Sequence, residues 1–165
     1  MKQKLLHYLK EILLFIVVLT LFANLLSWYK SQDLHKEKLP LQSLKLINNT
    51  IYNVAQEKAI LVHFWATWCP TCRLEADNIE RLSQNFEVIT IAVNSGTDYE
   101  IKKYLDENRL SFKTHNDKDA TLSKKFNISA YPTTFIYDQK GNLLFSEVGY
   151  TSTLGLYLRM WWAGF

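Results

Sequence analysis

The only two cysteines of this 165-residue chain, Cys69 and Cys72, stand three positions apart, after a continuous apolar run and at the start of a helical pattern. Thiols this close cross-link almost no chain, so a disulfide scaffold is excluded and the fold must rest on a hydrophobic core. The composition permits one, with 48% hydrophobic and 21% charged residues, which argues against intrinsic disorder. The length suits one domain rather than two. The formal net charge of +3 is spread without a Lys/Arg block, so no nucleic-acid partner is indicated. Neither a Gly-rich phosphate loop nor an internal repeat is visible.

Four segments read as strands. Ala59 to Trp65 and Val88 to Val93 are unbroken apolar runs that suit strands buried on both faces. Thr133 to Tyr137 and Leu143 to Val148 are separated by Asp138-Gln139-Lys140-Gly141-Asn142, which is hairpin chemistry. Helical patterns lie between and after them. Ile79, Leu82 and Phe86 recur at helical spacing between Leu74 and Phe86. Thr97-Asp98-Tyr99-Glu100 is a capping box that opens another helix through Ile101, Tyr104 and Leu105. Leu122 and Phe126 mark a short helix. Leu154, Tyr157, Leu158 and Trp161 follow the i, i+3, i+4, i+7 rule and mark the last. Leu44 to Tyr52, around Asn48-Asn49, reads as an N-terminal hairpin. Strands alternating with helices predict an α/β fold with a partly parallel sheet covered on both faces, closed by antiparallel edge strands.

The first thirty residues are a different material. Ile12 to Tyr29 is an 18-residue run without a charge. As a helix it would span roughly 27 Å, close to the hydrocarbon thickness of a bilayer. Trp28 and Tyr29 stand at its far end, where amphipathic rings favour the interface. No small-x-small cleavage site follows, and the run has no polar face, so a retained single-pass transmembrane anchor is expected over residues 1–30, with membrane contact at 12–29. Lysines flank both ends almost equally. A short basic N-terminus before a long C-terminal domain favours the N-terminus inside, with the domain outside a bacterial cytoplasmic membrane. Residues 31–40 read as a polar linker.

The cysteine motif, Trp65-Ala66-Thr67-Trp68-Cys69-Pro70-Thr71-Cys72, joins the first buried strand to the first helix. A helix N-terminus carries about half a positive charge and free N–H groups. Both favour a thiolate at Cys69 and hold its pKa below the free value of about 8.5. Pro70 fits the first turn, where its missing N–H is not needed. Two intervening residues bring the sulfurs within bonding reach. Cys69 would attack a partner's disulfide and Cys72 would resolve the mixed disulfide. A zinc site needs further ligands, and His7, His35, His63 and His115 are scattered. Covalent haem attachment needs His after the second Cys, where Arg73 stands.

At these residues the chain resembles the thioredoxin superfamily, over about Leu41 to Ala163. The resemblance is carried by Phe64 to Cys72, by Tyr131-Pro132-Thr133 and by Gly149 after the hairpin. Within the superfamily it is similar to the membrane-anchored TlpA/ResA/DsbE group, through Cys72-Arg73-Leu74-Glu75. The stretches Gly149-Tyr150-Thr151 and Leu156 to Ala163 look most like the ScsD-type branch, linked to copper tolerance. The resemblance implies a three-layer thioredoxin-like domain over 41–165, with a mixed central sheet and helices on both faces. It implies a cis peptide before Pro132, with the Tyr131 backbone beside Cys69 ready to pair with a substrate strand. Trp68, Pro70, Thr71, Tyr131 and Pro132 are the expected substrate-binding residues, and Tyr131 departs from the small or β-branched residue frequent there. His63 stands where thioredoxins carry a buried Asp, and reads either as a base for the Cys72 proton or as a satisfied core residue. Glu75 is the better candidate for proton transfer, because a buried carboxyl one turn below the sulfurs can hold its own proton. Trp65 and Trp68 read as walls around the disulfide, and Trp161, Trp162 and Phe165 as core or interface.

The expected activity is thiol–disulfide exchange with protein substrates on the periplasmic side of the inner membrane. It would need no cofactor beyond the Cys69–Cys72 couple and no metal. A DsbD/CcdA-like or DsbB-like membrane protein would be the redox partner. The direction of electron flow stays open: Pro70 after Cys69 resembles oxidising members, whereas the TlpA-like frame more often reduces. The alternative from another class is a Cu(I)-handling protein that uses the two thiolates as soft ligands.

Overall fold

A computed structural model describes residues 2–30, 34, 38–54 and 57–165, and within residues 2–30 the side chains of 7–22, 25, 27 and 29. In chain order the elements are α1 (Lys2–Lys30), β1 (Ser43–Lys45), β2 (Ile51–Asn53), β3 (Ile60–Trp65), α2 (Pro70–Ser83), β4 (Glu87–Val93), α3 (Asp98–Glu107), β5 (Thr114–Asp117), α4 (Thr121–Lys125), β6 (Thr133–Tyr137), β7 (Leu143–Val148) and α5 (Thr153–Ala163). The small hairpin β1–β2 forms around Asn48-Asn49, with Asn49 in the left-handed region. The main sheet has the order β5-β4-β3-β6-β7. Its β3–β4 and β4–β5 pairs are parallel, and its β3–β6 and β6–β7 pairs are antiparallel.

β3 is the middle strand, and all six of its residues are buried. Successive side chains of a strand point to opposite faces. Leu61 and Trp65 therefore join one core with Ile79 and Leu82 of α2, Ile101 and Leu105 of α3, and Leu156, Met160 and Ala163 of α5. Ile60, Val62 and Phe64 join the other core, with Phe135 and Tyr137 of β6, Phe126 at the end of α4, and Leu41, Leu44 and Leu46 near the hairpin. Phe64, Phe126 and Phe135 meet there with ring centroids 4.9 to 6.0 Å apart. The sheet is mixed and covered on both faces, as the alternating pattern predicts.

Three details differ from the sequence pattern. β5 is an additional parallel edge strand. Its sequence Thr-His-Asn-Asp has no apolar alternation, and it is held by pairing with β4 and by a Thr114–Thr90 hydroxyl contact of 2.9 Å. α2 begins at Pro70, where the cysteine motif predicts its first turn, but it ends at Ser83, so Phe86 lies beyond it. In α5 the stripe Leu154, Leu158 and Trp161 faces outward, while Leu156, Met160 and Ala163 go in. That helix is apolar all round, so periodicity could not fix its rotation. Its one charged residue does so, since Arg159 pairs with Glu147 of β7 at 2.8 Å.

The described part of α1 before Ser27 is exposed on every side. Its end packs against β7, where the Ser27 hydroxyl donates to Glu147 Oε2 and accepts from the Val148 N–H, both at 3.0 Å. Among the described residues no helix is long and apolar enough to cross a membrane. The unbroken stretch of described side chains, 7–22, stops short of the ~20 residues a span requires; part of the expected 12–29 span lies outside the described side chains. Most of the expected linker, residues 31–33 and 35–37, also lies outside the described residues. Of the remainder, Leu34 is buried in the second core, and the Leu39 N–H donates to Gly141 O at 2.9 Å.

Ile79 ties α2 to the sheet with no exposed surface. Ile79→Ala is expected to cost ~2–5 kcal/mol, read as a lower urea midpoint with an unchanged m value.

Candidate active site

β3 ends at Trp65, and the short turn after it delivers Cys69 to the start of α2. Cys69 is the N-cap, in extended conformation (φ −89°, ψ 114°), and Pro70 follows at the first helical position. A capping side chain normally offers an oxygen to the free N–H groups of the first turn. Here the Cys69 Sγ accepts from the Cys72 N–H at 3.1 Å. Cys69 and Cys72 are joined as a disulfide with Cα atoms 5.3 Å apart, and both are buried. The residues around them grade outward, with Thr71 half-buried and Pro70 and Trp68 exposed.

The loop after β4 props the motif from one side. The Thr67 N–H donates to Ser95 Oγ at 3.0 Å, and Trp68 Nε1 donates to Asn94 O at 3.1 Å. β6 closes the other side. Its leading peptide, Tyr131–Pro132, is cis, as the resemblance implies. The Tyr131 carbonyl oxygen lies 3.6 Å from Cys69 Sγ. The Tyr131 ring meets Trp68 edge to face at 5.7 Å, and its hydroxyl is 2.8 Å from Ser123 Oγ on α4. Pro132 is buried, and its carbonyl accepts from the Gly149 N–H at 2.8 Å. The expected substrate-binding residues Trp68, Pro70, Thr71, Tyr131 and Pro132 are thus brought together around one disulfide. Trp65 instead points into the core, between Tyr104 and Phe112, where Cys69 and Cys72 also pack.

Two ionisable groups lie beneath the sulfurs. Glu75, one turn after Cys72, has no exposed surface. Its Oε1 accepts from the Thr151 N–H at 3.0 Å, and its Oε2 has no partner among the described residues. Burial pushes its pKa up to about 8 against the partial relief of the Thr151 bond, and the Glu147 carboxylate pushes the same way. At neutral pH Glu75 therefore keeps its proton. His63, on β3, is also buried, with Nδ1 2.9 Å from Thr134 Oγ1. Burial lowers its pKa to about 3, so it is neutral and a weak base. The geometry is that of a satisfied core residue.

Sequence reasoning gave no role at the site to Asn94, Ser95 or Ser123, and did not connect Thr151 with Glu75. Each acts through a contact that only the fold creates, and no local pattern marks them.

The AhpC/TSA family matches residues 36–146. The chain belongs to that family. A thioredoxin-like protein of Haemophilus influenzae is 31% identical over 129 residues, covering 78% of this chain and 77% of its own. The sporulation thiol-disulfide oxidoreductase A of Bacillus subtilis is 27% identical over 147 residues, covering 81% and 88%. Among solved structures, a thiol:disulfide interchange protein of the thioredoxin family from Chlorobium tepidum superposes with a TM-score of 0.68 at 26% identity, covering 79% of this chain and 98% of that one. The family's thioredoxin-like α/β fold is the one described above, with its cysteine pair where a central strand meets a helix.

A carboxyl whose pKa is raised on folding takes up protons that the unfolded chain has released, so its contribution to stability is complete below about 4.5 and is lost as pH rises through about 8. Between those values the wild-type disulfide form should lose up to roughly 1.4 kcal/mol per pH unit relative to Glu75→Gln. Urea titrations of both proteins from pH 5 to pH 9 check this. Parallel curves would contradict a protonated Glu75.

Proposed function

We propose that this chain is a membrane-tethered oxidoreductase that exchanges disulfides with protein substrates outside the cytoplasmic membrane, through Cys69 and Cys72. One observation carries the reading: the Cys69–Cys72 disulfide caps α2 with Cys69 Sγ beside the Tyr131 carbonyl. The exchange activity is also supported by relatives named as a thiol-disulfide oxidoreductase and a thiol:disulfide interchange protein.

In the reducing direction the Cys69 thiolate attacks one sulfur of a substrate disulfide. That S–S bond breaks, the substrate's other sulfur leaves as a thiolate, and Cys69 is held in a mixed disulfide. The Cys72 thiolate then attacks Cys69 Sγ, re-forms the internal disulfide and releases the second substrate thiolate. Two electrons pass from the chain to the substrate. Oxidation of a substrate dithiol is the same path reversed. The α2 N-terminus favours the Cys69 anion through the Cys72 N–H and the helix dipole. The Tyr131 backbone and the exposed Trp68 ring offer an edge for an extended substrate segment. In the oxidising direction Cys72 leaves as a thiolate, and the protonated Glu75, one helical turn away, can supply its proton; in the reducing direction the Glu75 carboxylate takes that proton back before Cys72 attacks.

The tether is supported by the uncharged run Ile12 to Tyr29 and by the apolar side chains that α1 exposes on every side. A domain so tethered exchanges electrons with a membrane redox protein of the DsbD/CcdA or DsbB kind, which restores the couple after each turnover.

Full-length protein in detergent is expected to catalyse insulin reduction by dithiothreitol, and Cys69→Ser is expected to abolish it. Activity independent of Cys69 would end this reading. A reduced protein that holds one equivalent of Cu(I) and exchanges no disulfides would replace it with copper handling.

Iodoacetamide alkylation of the reduced protein against pH is expected to give a Cys69 pKa below about 8.5. A value at or above that would remove the role given to the helix N-terminus.

A further inference from the structure

α5 has an apolar face that the domain leaves uncovered. Leu154, Leu158, Trp161, Trp162 and Phe165 line its outward side, with Trp161 58%, Trp162 66% and Phe165 89% exposed. The Trp161 and Phe165 rings pack edge to face at 4.7 Å, and Trp162 lines the same surface hollow with them. Arg159, the helix's one charged residue, is drawn away to Glu147. A helix that is apolar all round is ordinarily buried all round. Here the core takes one half, through Leu156, Met160 and Ala163, and the other half lacks its cover.

We propose that this stripe lies in the interfacial layer of the bilayer, beside the point where α1 leaves the membrane. The inference rests on the tether proposed above. Its main support is continuity with the α1 contact. Glu147 Oε1 pairs with Arg159 of α5 at 2.8 Å, and Glu147 Oε2 accepts from Ser27 of α1 at 3.0 Å. The Val148 N–H holds the same serine. The last turn of α1 and the middle of α5 therefore meet over one carboxylate. Ser27 is two residues from Tyr29, the end of the uncharged run, or about 3 Å along a helix axis. A helix inserted through that run puts this junction at the membrane surface and brings α5 to the lipid boundary.

The chemistry of the stripe points the same way. Two exposed indoles beside a phenylalanine, and no carboxylate on the helix, suit the headgroup boundary, where an apolar ring body and one N–H are both satisfied. A second copy of the chain would also cover an apolar face, but the α1 contact brings lipid to this one. The domain would then be held at two places, by the inserted helix and by α5 lying in the plane of the interface.

The test uses the full chain in vesicles of phosphatidylethanolamine and phosphatidylglycerol doped with a lipid that carries a doxyl quencher near the headgroup. Trp28→Phe removes the anchor's own tryptophan from the signal. Doped vesicles are expected to quench the emission of this variant, and adding Trp161→Phe and Trp162→Phe is expected to abolish the quenching. Insulin reduction in detergent should be the same for both proteins, which checks that each is folded. Vesicle-bound Trp28→Phe protein with unquenched emission would overturn the inference and leave the tether standing. Unquenched emission accompanied by cross-linked dimers would assign the stripe to a second copy. Protein that alkaline washing strips from the vesicles would remove the tether, and this inference with it.

Discussion

The chemistry of this domain depends on one hydrogen bond, from the Cys72 N–H to Cys69 Sγ. It makes a sulfur the cap of a helix, a place usually taken by an oxygen. An oxygen there would satisfy the amide and end the matter. A sulfur there is a nucleophile whose anion is favoured by the same amide and by the dipole behind it. The position is fixed from below, because β3 is buried on both faces and paired on both edges. Its end can neither slip nor swing without exposing Phe64 or Trp65. Asn94 and Ser95 then hold the turn between strand and helix, so the cap is set by three elements together.

Beneath that cap, burial chooses the protonation states. His63 and Glu75 both lie in the layer between β3 and α2, and desolvation drives both to their neutral forms, one by losing a proton and the other by keeping it. At neutral pH this layer carries no charge while the disulfide is closed. The two residues still differ in what they can do. His63 has spent its ring nitrogen on Thr134 and, with a pKa of about 3, has little affinity for another proton. Glu75 holds a proton it can release near physiological pH, and one of its oxygens is unengaged among the described residues. An additional negative charge on a nearby sulfur would favour the protonated carboxyl further, which couples the redox state above to the proton below.

The parts of this arrangement that were legible in the sequence share a cause: each is written in residues adjacent along the chain. Ala59 to Trp65 and Val88 to Val93 read as buried strands because a strand with no polar face leaves little choice. Thr97 and Glu100 read as a capping box because both halves of that motif are local, and both of its bonds are present. The cysteine pair read as a redox couple for the same reason. β5 was hidden because Thr114 to Asp117 are strand by virtue of pairing with β4, not by propensity. The rotation of α5 was hidden because a helix of apolar residues carries no phase, and the residue that sets it, Glu147, belongs to a strand. The supports of the site, Ser95 for Thr67, Ser123 for Tyr131 and Thr151 for Glu75, are likewise partners across long stretches of chain.

The N-terminal part of the chain, which stands outside the alternating strand and helix pattern, has a structural task of its own. A sheet ending in β5 on one side and β7 on the other offers two rows of free backbone groups, and such edges invite pairing with other chains. Leu46, after the first hairpin strand, bridges to His115 of β5, and the His115 ring Nδ1 lies 2.7 Å from the Lys45 carbonyl. On the far side, Ser27 at the end of α1 takes the Val148 N–H of β7. Both edges are therefore touched by residues that precede β3. One of these contacts comes from the helix proposed to be the tether, so that helix would also protect the sheet edge. Removing α1 would leave the end of β7 open.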